Sequence, residues 1–274
     1  MAEGRVRARE GEVFYRHAGP GSTAPAMVHI HGFGISGSYL LPTAALLTDE
    51  FDTYVPDLPG YGRSPGPKKP LGIIELGDAV IAFLDSVGLE KATLVGNSMG
   101  CPVIARAMER HPDRVERAVL VSPAGGLHNR PLGRGLAQLA RDGLREPPSM
   151  VKVAGPDYLR FGLVNSVRLF LEMTQSPTIE ILSRLDTPML LVVGSRDPLL
   201  PPRSRIEELA PVARAQGNVG IVWLDGPAHA INYSHPQELA RVIRTYMHDP
   251  TLPEQAELPD DADVIVHPHS APEV

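Results

Sequence analysis

Short apolar runs alternate along this chain with longer segments in which apolar positions recur at helical spacing. "VFYRHA" and "AMVHIHG" read as strands, the second nearly all apolar and therefore central, and "FDTYVPDLPG" reads as a strand closing on a Pro-Gly turn. "IIELGDAVIAFLDSVGL" places Ile74, Val80, Ile81, Leu84 and Val87 near helical spacing and stops at Gly88, a favoured helix-ending residue. "KATLVG" then reads as a strand, residues 99–110 as a helix and "VERAVLVSPAG" as a strand. The order resumes with "PMLLVVGSRD", "RSRIEELAPVARAQG", "VGIVWLDG" and "PQELARVIRTYMHD" as strand, helix, strand and helix. Such alternation predicts an α/β fold with a parallel sheet and helices on both faces, because parallel neighbours need a crossover.

Two stretches break the pattern. Residues 126–186 carry helical segments, "LGRGLAQLARDGL" and "YLRFGLVNSVRLFLEM", punctuated by Pro147-Pro148 and Pro177, and predict a helical cap inserted between two strands. Residues 250–274 are acidic and proline-bearing, which predicts a disordered tail in which only "VIVH" could pair as a strand. The core is therefore expected over 1–125 and 187–249, with the regular pattern starting near Glu12.

The run "LVGNSMGCP" is where pattern turns into chemistry. A strand that passes straight into a helix at Gly96-Asn97-Ser98-Met99-Gly100 places a serine on a sharp turn with its hydroxyl exposed. Helix capping would explain the serine alone. A nucleophilic serine needs a histidine base and a carboxylate to orient it. "PMLLVVGSRD" presents Asp197 just past a strand end and "VGIVWLDGPAHA" presents His229 in the same way, so the order is Ser98, Asp197, His229. Asp225 is a rival acid but lies at the strand end only a few residues before His229. His235 precedes Pro236 and reads as the start of the last helix, and His29 and His31 read as structural. "HIHGFG" offers a flexible turn, Gly32-Phe33-Gly34, after a buried strand, and the N–H groups of Phe33 and Met99 are the candidate oxyanion donors.

The formal net charge of -6 supplies no basic excess for nucleic acid. A single cysteine, Cys101, excludes an internal disulfide and a Cys-x-x-Cys metal pair; no metal and no cofactor are implied, since no nucleotide-binding glycine run stands in a fitting context. Cys101 reads as a small buried residue packing on the sheet. No signal peptide and no membrane-length apolar stretch is seen, so a cytoplasmic, soluble protein without membrane or nucleic-acid partners is expected.

"HGFG", "DLPGYGRS", "GNSMG", "GSRDPLLP" and "GPAHA" together resemble the α/β-hydrolase family over residues 12–248. The resemblance implies a mostly parallel sheet of about eight strands, a cap over the site and a Ser98–Asp197–His229 triad. It implies a serine hydrolase of a small, largely hydrophobic ester; Gly32 and Gly34 of the turn and the apolar cap residue Phe161 are expected at the substrate. The elbow is also similar to that of carbon–carbon bond hydrolases, although Cys101 and Ala230 stand where those carry glycine and an aromatic residue. A weakly catalytic ligand receptor and an acyltransferase or lyase are further readings of the same scaffold. In the cap, Arg160 and Arg168 are among several arginines that could meet a substrate carboxylate, with solvated helix faces the alternative.

Overall fold

A computed structural model describes residues 1–67, 69–123, 129, 132–161, 163–200, 203, 213, 217–252 and 257–268. The parallel heart of the sheet is built from β3 (Ala26–Ile30), β4 (Asp52–Pro56), β5 (Ala92–Asn97), β6 (Val115–Val121), β7 (Met189–Gly194) and β8 (Val219–Leu224). They stand in the order β4-β3-β5-β6-β7-β8, each parallel to its neighbour.

Why these strands sit inside is visible in their alternation. Leu94, Ala118, Leu120, Met189 and Val193 face one apolar core, while Val95, Val119, Val121, Leu190 and Val192 face another. Successive strand side chains point to opposite faces, so a strand apolar on both must be covered twice. Helices α2 (Ile73–Ser86) and α3 (Gly100–Arg110) supply buried side chains to the first core. The second is closed by α8 (Pro236–His248), whose Leu239, Val242, Ile243 and Tyr246 lie within it, and α1 (Leu41–Leu46) packs on that helix. Each such Leu or Val removed from water contributes roughly 1.5–3 kcal/mol.

The described residues form nine strands, where the resemblance implied about eight, and the edges explain the difference. At one edge, β1 (Ala2–Ala8) and β2 (Gly11–Ala18) form an antiparallel hairpin, and β2 pairs antiparallel with β4. In β1, Glu3, Arg5 and Arg7 face solvent while Val6 and Ala8 turn inward, so the fold begins ten residues before Glu12. Only one face of this strand is covered, and its charged face masks it in an apolar search.

At the other edge, β9 (Ala262–Val266) pairs antiparallel with β8, with Val264 opposite Val222. The expectation of a disordered tail fails over this strand. Its acidic composition hides a Val-Ile-Val core that becomes useful only against an exposed sheet edge, which it covers. Asp263 is paired with Arg203, whose guanidinium lies 5.4 Å from the Trp223 ring centre. The helix expected over "RSRIEELAPVARAQG" lies almost wholly outside the described residues.

Between β6 and β7 stand α4 (Leu132–Gly143), α5 (Ser149–Phe161), α6 (Leu163–Gln175) and α7 (Thr178–Leu182). The helical pattern expected from Tyr158 to Met173 falls on α5 and α6, and α5 runs through Pro156 despite the N–H that proline lacks. These helices lie over the carboxyl ends of the parallel strands, where open α/β sheets place their sites. No helix among the described residues is long and apolar enough to cross a membrane.

Candidate active site

Ser98 stands between β5 and α3 at φ 58°, one of few non-glycine residues here in the left-handed region. The flanking glycines make that bend possible by contact rather than by flexibility. A Cβ on Gly96 would lie 2.8 Å from the Gly100 carbonyl carbon, and one on Gly100 would lie 2.4 Å from the Ile30 carbonyl oxygen. Strand, helix and the neighbouring strand therefore close on each other only without side chains at these two positions. The Ser98 N–H donates to the Val121 carbonyl at 3.0 Å, tying the bend to β6.

His229 follows β8 and Asp197 follows β7, both on the carboxyl edge. His229 Nδ1 donates to Asp197 Oδ2 at 2.7 Å, and the other Asp197 oxygen accepts the Leu199 N–H at 2.8 Å. The carboxylate is thus held from two sides, and its imidazole partner is oriented with Nε2 outward. Among the described residues Nε2 is buried and has no hydrogen-bond partner. Burial lowers the imidazole pKa, but the charge and hydrogen bond of Asp197, then the charges of Asp142 and Glu146, outweigh it and take it up to about 9. Asp225 is exposed, and its backbone N–H donates to the Asp261 carbonyl.

Ser98 and His229 share the wall of a cavity of about 420 Å³. Its surface is otherwise mostly apolar, with Leu139, Met150, Phe170 and Met173 from α4, α5 and α6, Leu199 from the loop after β7, and Gly32, Phe33 and Tyr39 from the segment after β3. Gly32 backs directly onto the serine, since a Cβ there would sit 3.3 Å from that of Ser98. Gly34 and Phe161 are not brought to this wall. Gly34, at φ 71°, is covered by the Tyr158 ring, and Phe161 is stacked on Tyr61 with ring centres 4.9 Å apart. Phe161 lines a separate cleft of about 150 Å³ with Arg160 and Arg168, so these arginines do not face the serine either.

The Phe33 turn is clamped from above and behind. The Phe33 ring meets Phe161 and Phe170 edge-on at 5.8 and 5.9 Å. The Gly32 N–H donates to Tyr39 Oη at 2.8 Å, and Tyr39 in turn donates to Asn97 Oδ1 at 2.7 Å. The Asn97 amide then donates to the Val121 and His229 carbonyls at 3.2 and 3.1 Å. One buried network thus joins the Phe33 loop, the elbow and the histidine loop. Asn97 and Tyr39 were not singled out in the sequence, although Asn97 is the variable residue of the Gly-x-Ser-x-Gly run.

Asp57 of "DLPGYGRS" is structural. Its carboxylate accepts from Arg16 Nη1, the Gly37 N–H and the Arg63 N–H, each at 2.9 Å, with its side chain fully buried. His31 accepts the Leu58 N–H at Nε2 and donates from Nδ1 to the Gly32 carbonyl, which makes it a brace between two loops. His29 is buried in β3, and burial lowers its pKa to about 3, so it stays neutral. Cys101 Sγ lies against the Gly96 and Val121 carbonyls, and burial pushes its thiol pKa up, the opposite of a reactive cysteine. Among the described residues no group of three or more His, Cys, Asp or Glu side chains is arranged to hold a metal ion.

The chain is 36% identical over 110 residues, 40% of its length, to the dihydrolipoyllysine-residue acetyltransferase component of the acetoin cleaving system of Cupriavidus necator. It is 33% identical over 120 residues, 43% of its length, to the carboxylesterase YbfK of Bacillus subtilis. These matches span 29% and 40% of the two relatives. Among solved structures, a bacterial membrane phospholipase A superposes with a TM-score of 0.76 at 25% identity, over 90% of this chain and 86% of that one. Residues 27–242 match the alpha/beta hydrolase family from the first central strand to the last helix, and the chain belongs to that family.

Proposed function

We propose that the protein is a serine hydrolase that cleaves a small, largely apolar carboxylic ester through an acyl-enzyme. The observation that carries this reading is that His229, fixed by Asp197 at 2.7 Å and with Nε2 unbonded among the described residues, shares the wall of one apolar cavity with Ser98. Ser98 Oγ attacks the ester carbonyl and its proton passes to His229 Nε2. The oxyanion is received by the Phe33 and Met99 N–H groups, each typically worth ~3 kcal/mol. Collapse expels the alcohol, which takes the proton from His229. Water, losing its proton to His229, then attacks the acyl carbon; the acid leaves and Ser98 regains its proton.

The apolar wall supports a hydrophobic acyl or alcohol group. The names of YbfK and of the phospholipase A point to the same bond class in those proteins. Steady-state hydrolysis of p-nitrophenyl butyrate tests the reading. The Ser98→Ala variant is expected to lose at least about a thousandfold in kcat. A variant that keeps the wild-type rate overturns it.

A further inference from the structure

Three cap carboxylates reach down to the core, and each accepts a backbone N–H near the site. Asp157 Oδ2 accepts from Ser36 at 2.8 Å, at the far end of the Phe33 turn. Asp142 Oδ1 accepts from His229 itself at 3.2 Å, and Glu146 Oε1 accepts from Ala230 at 2.7 Å. Asp142 closes the last turn of α4 and Glu146 follows four residues on, so one short stretch of cap grips two consecutive amides of the histidine loop. The same loop is held from beneath by Asn97 at the His229 carbonyl.

Carboxylates are a costly choice for a latch. Burial drives the Asp142 pKa up to about 6 and that of Glu146 upward, which means both charges resist this position. Glu146 Oε2 is buried with no hydrogen-bond partner among the described residues. A neutral amide or hydroxyl would dock the cap without that cost. What a carboxylate adds is negative charge beside an imidazole that must become cationic during the reaction.

We infer that Asp142 and Glu146 are positioning residues for His229: the docked cap fixes the histidine loop through their bonds to its amides, and their charge stabilises the imidazolium formed when the serine proton arrives. This rests on the serine-hydrolase reading above. Among the described residues, the charged groups acting on His229 are Asp197 from the loop after β7 and Asp142 and Glu146 from the cap, while Ser98 from the elbow and Tyr158 from α5 line the same cavity. Tyr158 stays neutral, its pKa pushed up to about 12 by burial and by Asp142. Arg145, between the two acids in sequence, donates instead to the Arg196 carbonyl.

The test compares two double variants with wild type on p-nitrophenyl butyrate. The Asp142→Ala/Glu146→Ala protein is expected to lose at least about tenfold in kcat, with KM moving less than kcat. The Asp142→Asn/Glu146→Gln protein keeps the acceptors and removes the charge. It is expected to recover most of that kcat, with the acid limb of kcat/KM displaced to lower pH. NMR titration of the His229 imidazole gives a readout that needs no turnover, and it is expected to fall to lower pH in the amide variant. Should the alanine variant fail to fold, the near-isosteric amide variant still decides. A wild-type pH limb together with an unmoved His229 titration in the amide variant overturns the inference. Absence of ester turnover in wild type itself would instead reject the serine-hydrolase reading, and the titration would then decide the inference alone.

Discussion

Tyr39 donates its hydroxyl to Asn97 Oδ1 at 2.7 Å while accepting the Gly32 N–H at 2.8 Å, so a single phenol joins the turn beside the serine to the residue before it. Tyr39 is 1% exposed and Asn97 2%, so both bonds are buried.

Tyr39→Phe therefore strands one donor and one acceptor in a dry network. The loss expected in thermal or denaturant unfolding is about 2–3 kcal/mol. In ester hydrolysis kcat should fall more than KM changes, because the Phe33 turn loses its tether. Unchanged stability would show that the network is dispensable.

The buried pair of Arg16 and Asp57 makes a second prediction. Asp57→Ala removes the one ion-pair partner of Arg16 among the described residues, leaves the guanidinium of that 8% exposed residue unpaired, and frees the Gly37 and Arg63 amides as well. Unpairing a buried charge in this way costs about 3–5 kcal/mol. Denaturant melts should show that loss, and loss of under 1 kcal/mol would refute the structural role given to Asp57.

How much of this could be read without coordinates depended on how local each signal was. Ser98, Asp197 and His229 stood out because each comes within a short loop of the end of an apolar strand, a feature that lies within about ten residues of sequence. Asp142, Glu146 and Asp157 did not, since an acid on an amphipathic helix, or just past its end, looks solvated until the helix docks. The partners of Asp142 and Asp157 are 87 and 121 residues away. Phe161 and Gly34 were placed at the substrate from their neighbourhood in sequence, but Tyr61 and Tyr158 cover them. Strand β9 was legible in part: "VIVH" marks the one stretch of the tail able to pair, but whether it pairs is decided by the free edge of β8, which its acidic surroundings do not reveal.

The histidine itself sets the pH dependence. His229 accepts a proton only when neutral, and with its pKa raised to about 9 the neutral fraction grows as pH rises toward that value. Below it, kcat/KM should fall about tenfold per pH unit until another group intervenes. Stability follows the reverse course. A pKa raised above its unfolded value contributes stability that is fully present below about pH 6.5 and is lost as pH rises through about 9. Paired rate and melting profiles over pH 6–10 check both signs, and a rate maximum on the acid side of neutrality would contradict the assignment of His229 as base.

Ser98 is the nucleophile in the reaction proposed above. Treating the protein with a fluorophosphonate and locating the adduct by peptide mass spectrometry tests it without knowledge of the natural substrate. One phosphonyl group on Ser98, with labelling slowed at least about a hundredfold in His229→Ala, is the expected result. An adduct on another residue, or an unlabelled Ser98 in protein that turns over esters, would contradict it.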